Sequence, residues 1–300
     1  MEVLINNMHP EEHFQNFLTQ EQLADQKLLL MISGGVDSCV LLEVASKVLP
    51  VEKITVLHIN HKTRADCDKD ETLVQNICST KNITCVVKKL STPNSAKNKE
   101  ASWRQQRQKL SAQVAKEVGA TRILTAHHAT DLVETMIFRL TKGCGVKGLS
   151  PFDTSTKPFW KIPKTDLIAY AQEKNLKWHE DESNDDPTYQ RNLIRHEVLP
   201  ALRRITPNLE KVFVRESLNF AEIQEYIDLQ TQTSTPLELT KFVTWPIILQ
   251  KNFLRQVAKT TVSSNDIDDC LKWLKNNPSG NSQKSLGKTS LKILSGKIVF

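Results

Sequence analysis

Apolar residues gather into short runs at Lys27–Ile32, Lys53–Ile59, Ile83–Lys89 and Thr121–Ala126. Roughly 20 to 30 residues with helical apolar spacing separate successive runs. That alternation is the rhythm of right-handed βαβ crossovers, so it predicts an α/β fold with a parallel sheet between helices. A shorter fifth strand is expected at Phe159–Ile162, then a helix from about Thr165 to Lys174, after Pro163. Beyond Pro187 the pattern changes. Tyr189–Asp228 reads as one or two long helices, punctuated by Pro200 and Pro207, with no strand between them. The polar stretch Gln230–Pro236 reads as a linker. The expected organisation is a nucleotide-binding α/β domain over 1–187, a helical linker region over 188–232 and a small α+β domain over 233–300.

With 300 residues, 39% hydrophobic and 25% charged, the chain can bury one large core plus a smaller one, which argues against global disorder. No apolar run approaches the roughly 18 residues of a membrane span. Met1–Leu18 carries acids and histidines where a secretion signal would be basic and then apolar, so a cytoplasmic protein with no membrane partner is expected. The six cysteines form no CxxC pair, which argues against a zinc ribbon, a disulfide framework or a thioredoxin-like centre.

The net charge of +6 is unevenly placed: Lys272–Phe300 contains six lysines and no acid, so the other 34 basic and 34 acidic residues cancel. Lys81–Lys109 is a second basic stretch, with eight positive residues against Glu100 alone. A charge run is most often a solvated face; the sharper expectation is a polyanionic partner. Lys284, Lys288 and Lys292, near the Pro278-Ser279-Gly280 turn, are the tail's candidate nucleic-acid contacts, presented on one surface.

The strongest local signal is Ser33-Gly34-Gly35-Val36-Asp37-Ser38, between the apolar run Leu28–Ile32 and a helical segment Cys39–Val48. Strand, glycine loop and helix together form a phosphate-binding context. Glycines admit close approach of backbone N–H groups, the helix N-terminus favours anions, and Ser33 and Ser38 offer hydroxyl donors. Asp37 would repel a phosphate unless a cation such as Mg²⁺ lay between them. A plain strand-to-helix turn with Ser and Asp as caps is the simpler alternative. Two other glycine motifs fail on context: Gly287-Lys288-Thr289 lacks the earlier glycine of a Walker loop, and Gly143–Gly148 fits GxGxxG but follows a helix.

A second loop, His127-His128-Ala129-Thr130-Asp131-Leu132-Val133-Glu134, follows the fourth strand run and should face the same crevice. Asp131 and Glu134, three apart, share a helical face and can hold an ammonium group, or they form an N-terminal capping arrangement. His127 and His128 as zinc ligands lack a third ligand at suitable spacing.

Ser33–Ser38 is the SGGxDS fingerprint of the PP-loop ATP pyrophosphatases, and the chain resembles that superfamily. The order of further motifs resembles the tRNA(Ile)-lysidine synthase family over nearly the whole chain. These are His58-Ile59-Asn60-His61, Glu100-Ala101 with Arg104 and Arg107, Arg139 with Gly143, Gly145 and Gly148-Leu149, Asp181–Asn184, and Arg191-Asn192 with Arg195 and Pro200. Lys157-Pro158-Phe159-Trp160 stands where the family has RPLL, and Lys142 replaces an arginine, so charge is kept while bidentate geometry is lost. The length resembles short family forms with one domain after the catalytic one.

The resemblance implies adenylation by ATP of the wobble cytidine C2 carbonyl oxygen in a tRNA(Ile) with a CAU anticodon, followed by attack of the L-lysine ε-amine and loss of AMP. It implies that Ser33–Ser38 bind ATP, that Asp37 holds Mg²⁺, that Asp131 and Glu134 surround lysine, and that His128 with Arg104 or Arg107 lies near the phosphates. Arg195 is a candidate tRNA or phosphate contact; a surface arginine in a helical salt bridge is its plainer reading. Oligomeric state is left open, a homodimer included.

Overall fold

The computed structural model describes residues 9–60, 67–90, 99–179, 190–232, 236–277 and 281–300. The chain divides into two compact units, Met1–Leu218 and Asn219–Phe300, the division falling within the helix Leu209–Thr231.

The first unit is built on four parallel strands, β1 (Leu28–Met31), β2 (Ile54–Asn60), β3 (Thr84–Lys89) and β4 (Arg122–Leu124), in the order β3-β2-β1-β4. The helices α1 (Pro10–Gln20), α2 (Val36–Val48) and α3 (Cys67–Thr80) precede α4 (Lys99–Val118). Strand alternation sends Leu28, Leu30, Ile54 and Val56 into a core with α1, α2 and α3, and Leu29, Leu57 and Ile59 into a second core with Val114 and Ala115 of α4. The faces follow from handedness: β1-α2-β2 and β2-α3-β3 advance one way across the sheet, whereas β3-α4-β4 runs back past β1 and so crosses the other face. The strand order reverses between β1 and β4, and in an open parallel sheet that switch point is where ligands bind.

After β4 come α5 (Ala129–Thr141), the short α6 (Val146–Leu149) and α7 (Lys164–Glu173). Gly143, with φ of +73°, ends α5, so the GxGxxG stretch is a helix terminator. The fifth strand expected at Phe159–Ile162 does not form. Phe159 and Ile162 are buried, which gives the run its strand-like look, but Pro158 and Pro163 bracket it and turn bonds close it, with Ile162 N–H donating to Phe159 O at 2.8 Å. The turn serves the site: Ala129 N–H, at the start of α5, donates to Ile162 O at 2.8 Å.

The expected helices beyond Pro187 appear as α8 (Gln190–Leu193), a π-helical turn Ile194–Val198, α9 (Leu199–Ile205) and α10 (Leu209–Thr231). Pro200 removes the N–H that would bond the His196 carbonyl, and a π turn is one way a helix accommodates such a loss.

The second unit pairs an antiparallel sheet, β5 (Leu237–Glu238), β6 (Ser282–Leu286), β7 (Thr289–Leu294) and β8 (Lys297–Val299), with helices α11 (Leu239–Thr244), α12 (Ile247–Val257) and α13 (Ser264–Asn276). Phe242, Phe253, Leu274, Leu291, Ile293 and Ile298 belong to its core, each side chain contributing about 1.5–3 kcal/mol by burial. Gly287-Lys288, just before Thr289 opens β7, is the β6–β7 hairpin turn; at Gly287 φ is +60° and a Cβ would stand 2.7 Å from Ala258 O. The three tail lysines do not share one surface. Lys284 pairs with buried Leu291 in the β6–β7 register, hence on the core-facing side, whereas Lys292 is exposed on the opposite side and Lys288 is exposed in the turn. The segment Pro278-Ser279-Gly280 lies outside the described residues.

Candidate active site

The loop between β1 and α2 is shaped by its own residues. Gly34 has φ of +100°, and a Cβ there would sit 3.3 Å from Cβ of Asp70. Two interactions hold this glycine in place: His179 N–H donates to Gly34 O at 3.0 Å, and His179 Nδ1 lies 2.8 Å from Asp70 Oδ1. Ser38 Oγ fills the loop, accepting from the Ser33 and Gly34 amides at 3.2 Å each and donating to Gly35 O at 2.9 Å. Ser33 Oγ lies 3.1 Å from Ser38 Oγ, so the two hydroxyls expected to face phosphate also brace the loop from within. Val36, Asp37 and Ser38 supply first-turn N–H groups of α2, which have no acceptor inside their own helix.

The loop after β4 meets this one. His128 is the N-cap of α5: its Nδ1 accepts from Asp131 N–H at 3.2 Å, while Asp131 Oδ2 accepts from His128 N–H at 2.9 Å. The capping pair is therefore His128 with Asp131, and Glu134 lies one turn beyond it. Nε2 of His128 faces Asp37 Oδ2 at 3.6 Å, and Lys164 Nζ reaches the same oxygen at 4.0 Å. Glu134 is buried and gives both oxygens to Arg195, at 2.7 Å to Nε and 3.0 Å to Nη2, with Asp131 Oδ1 4.0 Å from Nη2. The π turn carries the arginine that makes this pair.

Charges decide the protonation states. Burial pushes the Asp37 carboxyl up, but contact with His128 and the positive charges of His128, Lys164 and Arg195 outweigh it and hold the group below the usual aspartate value. His128 shows the converse: burial disfavours its cation, and Asp131 and Asp37 overcome this and raise its pKa. The cap opposes a second proton on the ring, since Nδ1 must stay unprotonated to accept Asp131 N–H. His127 is lowered, mainly by burial, and its Nδ1 lies 2.9 Å from Thr125 Oγ1.

A cleft of about 330 Å³ runs along the switch point, lined among others by Ser33, Gly35, Asp37, Ser38, Arg107, His127 and Asp131. Arg104 is exposed one turn before Arg107 on α4. His58 Nδ1 contacts Ile32 O at 2.9 Å and Asn60 Nδ2 donates to Asp68 and Glu71, so part of the His58–His61 motif ties the strand ends to α3. Lys284, Lys288 and Lys292 belong to the second unit. His61, the Glu100 side chain and Asp181–Asn184 lie outside the described residues. Lys164 was not singled out by its sequence, although it carries a signal: a lysine in the first turn of a helix is disfavoured by the macrodipole unless an anion faces it.

Asp37 fits the cation that the loop implies. Its Oδ1 is buried without a hydrogen-bond partner, and among the described residues no cluster of three His, Cys, Asp or Glu side chains forms a complete metal cage. One carboxylate plus substrate phosphates is the set that Mg²⁺ commonly takes.

A glycine cradle at a helix N-terminus, at the switch point of a parallel sheet and beside an aspartate, defines a PP-loop nucleotide-binding protein, and residues 6–202 match the PP-loop domain family. A tRNA(Ile)-lysidine synthase of Thermotoga sp. (strain RQ2) is 34% identical over 200 residues, covering 63% of this chain and 48% of that protein. One from Chlorobaculum tepidum is 30% identical over 240 residues, covering 74% and 71%. The chain belongs to the tRNA(Ile)-lysidine synthase family of PP-loop proteins. It spans about half the length of the first curated relatives it matches. The fold is also that of the U34-tRNA thiolase NcsA from Methanococcus maripaludis, with TM-score 0.58 at 18% identity over 71% of this chain and 78% of that one.

Proposed function

We propose that the chain makes lysidine: it adenylates the wobble cytidine of a tRNA(Ile) with a CAU anticodon and transfers L-lysine to its C2, consuming ATP. The observation that carries this reading is that His128 joins two chemically opposite half-sites, touching Asp37 of the phosphate loop with one ring nitrogen and Asp131 of the carboxylate pair with the other.

In the first step the cytidine O2 attacks the α-phosphorus, and the bond to the β-phosphate breaks with its electrons going to pyrophosphate. The Val36, Asp37 and Ser38 amides receive that charge. Mg²⁺, when bound, adds Lewis-acid screening there, and Asp37 would hold it. In the second step the neutral lysine ε-amine attacks C2, the C2–O bond breaks with its electrons going to AMP, and the nitrogen gives up one proton to solvent. Asp131, partly exposed in the cleft, binds and orients the amino acid, while Arg195 neutralises Glu134 behind it. Arg107, reaching the cleft from α4, and Arg104 beside it take phosphates; Arg195 serves the carboxylates, and its tRNA role is secondary. The exposed lysines of the second unit add tRNA affinity. Among the described residues no helix is long and apolar enough to cross a membrane. The reading places the enzyme in the cytoplasm, where tRNA is modified.

Thiolation of tRNA is the competing chemistry for a PP-loop fold, and it calls for a reactive thiol or a cluster. No described cysteine lines the cleft, and burial pushes the Cys39 thiol up to about 12. The deciding experiment incubates the chain with ATP, lysine and the tRNA and digests the RNA for mass analysis. Lysidine at position 34 supports the reading; unchanged cytidine with all three substrates present refutes it.

A further inference from the structure

Groups from three separate segments converge on the Gly34 peptide. His179 N–H, beyond the end of α7, donates to Gly34 O at 3.0 Å, and buried Cys39 Sγ, from α2, lies 3.5 Å from the same oxygen. The segment that brings His179 there is itself anchored, since Leu176 N–H donates to Ala171 O at 2.9 Å and the Leu176 and Trp178 side chains pack against the first core. Asp70, from α3, completes the arrangement: an ionised carboxylate only accepts, so its 2.8 Å contact with His179 is a donation from Nδ1–H. The direction of the Gly34 carbonyl fixes what the loop offers a ligand. C=O and N–H of one trans peptide point opposite ways, so holding Gly34 O toward Cys39 and His179 turns Gly35 N–H the other way. Gly35 lines the cleft, and its N–H makes a long 3.4 Å contact with Ser33 Oγ on the exposed side. A peptide between two glycines flips at little steric cost unless something outside it holds it.

We propose that His179 and Asp70 are positioning residues for the phosphates of ATP: His179 pins the Gly34 carbonyl through its backbone N–H, Asp70 fixes His179 through its ring, and Gly35 N–H is thereby kept aimed at a phosphate oxygen. This rests on the ATP-binding part of the reading above and adds Gly35 to the amides that take the phosphates. Without the clasp the Gly34-Gly35 peptide divides between two orientations, and the apparent ATP affinity falls by the fraction that remains competent. Saturating ATP selects the competent orientation, so the rate at saturation changes little. The lysine-binding half is not involved, because Asp131, Glu134 and Arg195 form their own set.

The test uses the full chain and measures binding of labelled ATP and of inorganic pyrophosphate, together with single-turnover adenylation of the tRNA. Asp70→Ala and His179→Ala should each weaken ATP and pyrophosphate by about tenfold, while adenylation at saturating ATP stays within about threefold of the wild-type rate. His179→Asn, whose side-chain N–H stands in for Nδ1–H, should recover most of the affinity. The double alanine variant should bind ATP no worse than either single one, because both changes break the same link. The lysine concentration for half-saturation should stay within about twofold throughout. Wild-type ATP affinity in the two alanine variants overturns the inference. A loss that follows a lowered unfolding midpoint and that His179→Asn does not repair also overturns it, since that marks a packing role. A wild type that binds ATP but adenylates no tRNA sinks the functional reading, whereas the binding ratios still decide this inference.

Discussion

Arg195 and Glu134 form a two-bonded ion pair in which the carboxylate is buried and the guanidinium is 27% exposed. This asymmetry dictates what each substitution costs. Removing Arg195 strands a buried charge, whereas neutralising Glu134 leaves a cation that can still find water. Arg195→Ala should lower unfolding stability by about 3 kcal/mol, and Arg195→Ala combined with Glu134→Gln should be less destabilised than Arg195→Ala alone. Denaturant titration of the variants gives the comparison, and additive losses would show that the two residues do not depend on each other.

Asp37→Asn keeps the shape of the side chain and removes its charge. Pyrophosphate release with tRNA and ATP should fall by about 10³-fold, while weak ATP binding persists on the loop amides. Raising Mg²⁺ should not restore it. Release near the wild-type rate would take Asp37 out of the chemistry.

The raised pKa of His128 has a sign that can be measured. A group that binds its proton more tightly when folded contributes stability that is fully present below its unfolded value of 6.5 and is lost as pH rises through the folded value. Wild-type stability should therefore fall between about pH 6 and 8 by more than that of His128→Gln, whose amide keeps a cap acceptor but does not titrate. Parallel pH profiles for the two proteins would show that Asp131 and Asp37 do not hold a proton on the ring.

The alternation of strands and helices, the phosphate loop and the loop after β4 were legible in the sequence because each is a local pattern of a few residues. What was not legible is pairwise and distant. Glu134 meets Arg195 across 61 positions, and nothing local announces that its charge is already matched. Ser38 reads as a phosphate donor because its hydroxyl chemistry is visible, whereas its use inside the loop depends on how the chain folds back. Phe159–Ile162 looks like a strand because burial alone makes a run apolar; its flanking prolines were the contrary signal. Lys284 and Lys292 looked alike until the β6–β7 register put them on opposite faces.

That register changes which tail lysines matter. Lys288→Gln with Lys292→Gln should weaken tRNA binding and reduce its log-log salt slope by roughly 0.7–0.9 for each phosphate that the protein ceases to neutralise. Lys284→Gln, on the core-facing side, should leave the slope unchanged. Filter binding over a salt series separates the two, and a change confined to Lys284→Gln would reverse the assignment.

The central claim is that phosphate chemistry and amine chemistry occupy separate halves of one cleft, and Asp131→Asn tests it most directly. Asparagine retains an oxygen to accept His128 N–H, so the cap survives while the charge facing lysine is lost. With labelled ATP and tRNA, this variant should still form adenylated tRNA, and lysine added afterwards should release labelled AMP only at concentrations at least about tenfold above those the wild type needs. Failure to adenylate tRNA at all, or release of AMP at wild-type lysine concentrations, would contradict the division of the site.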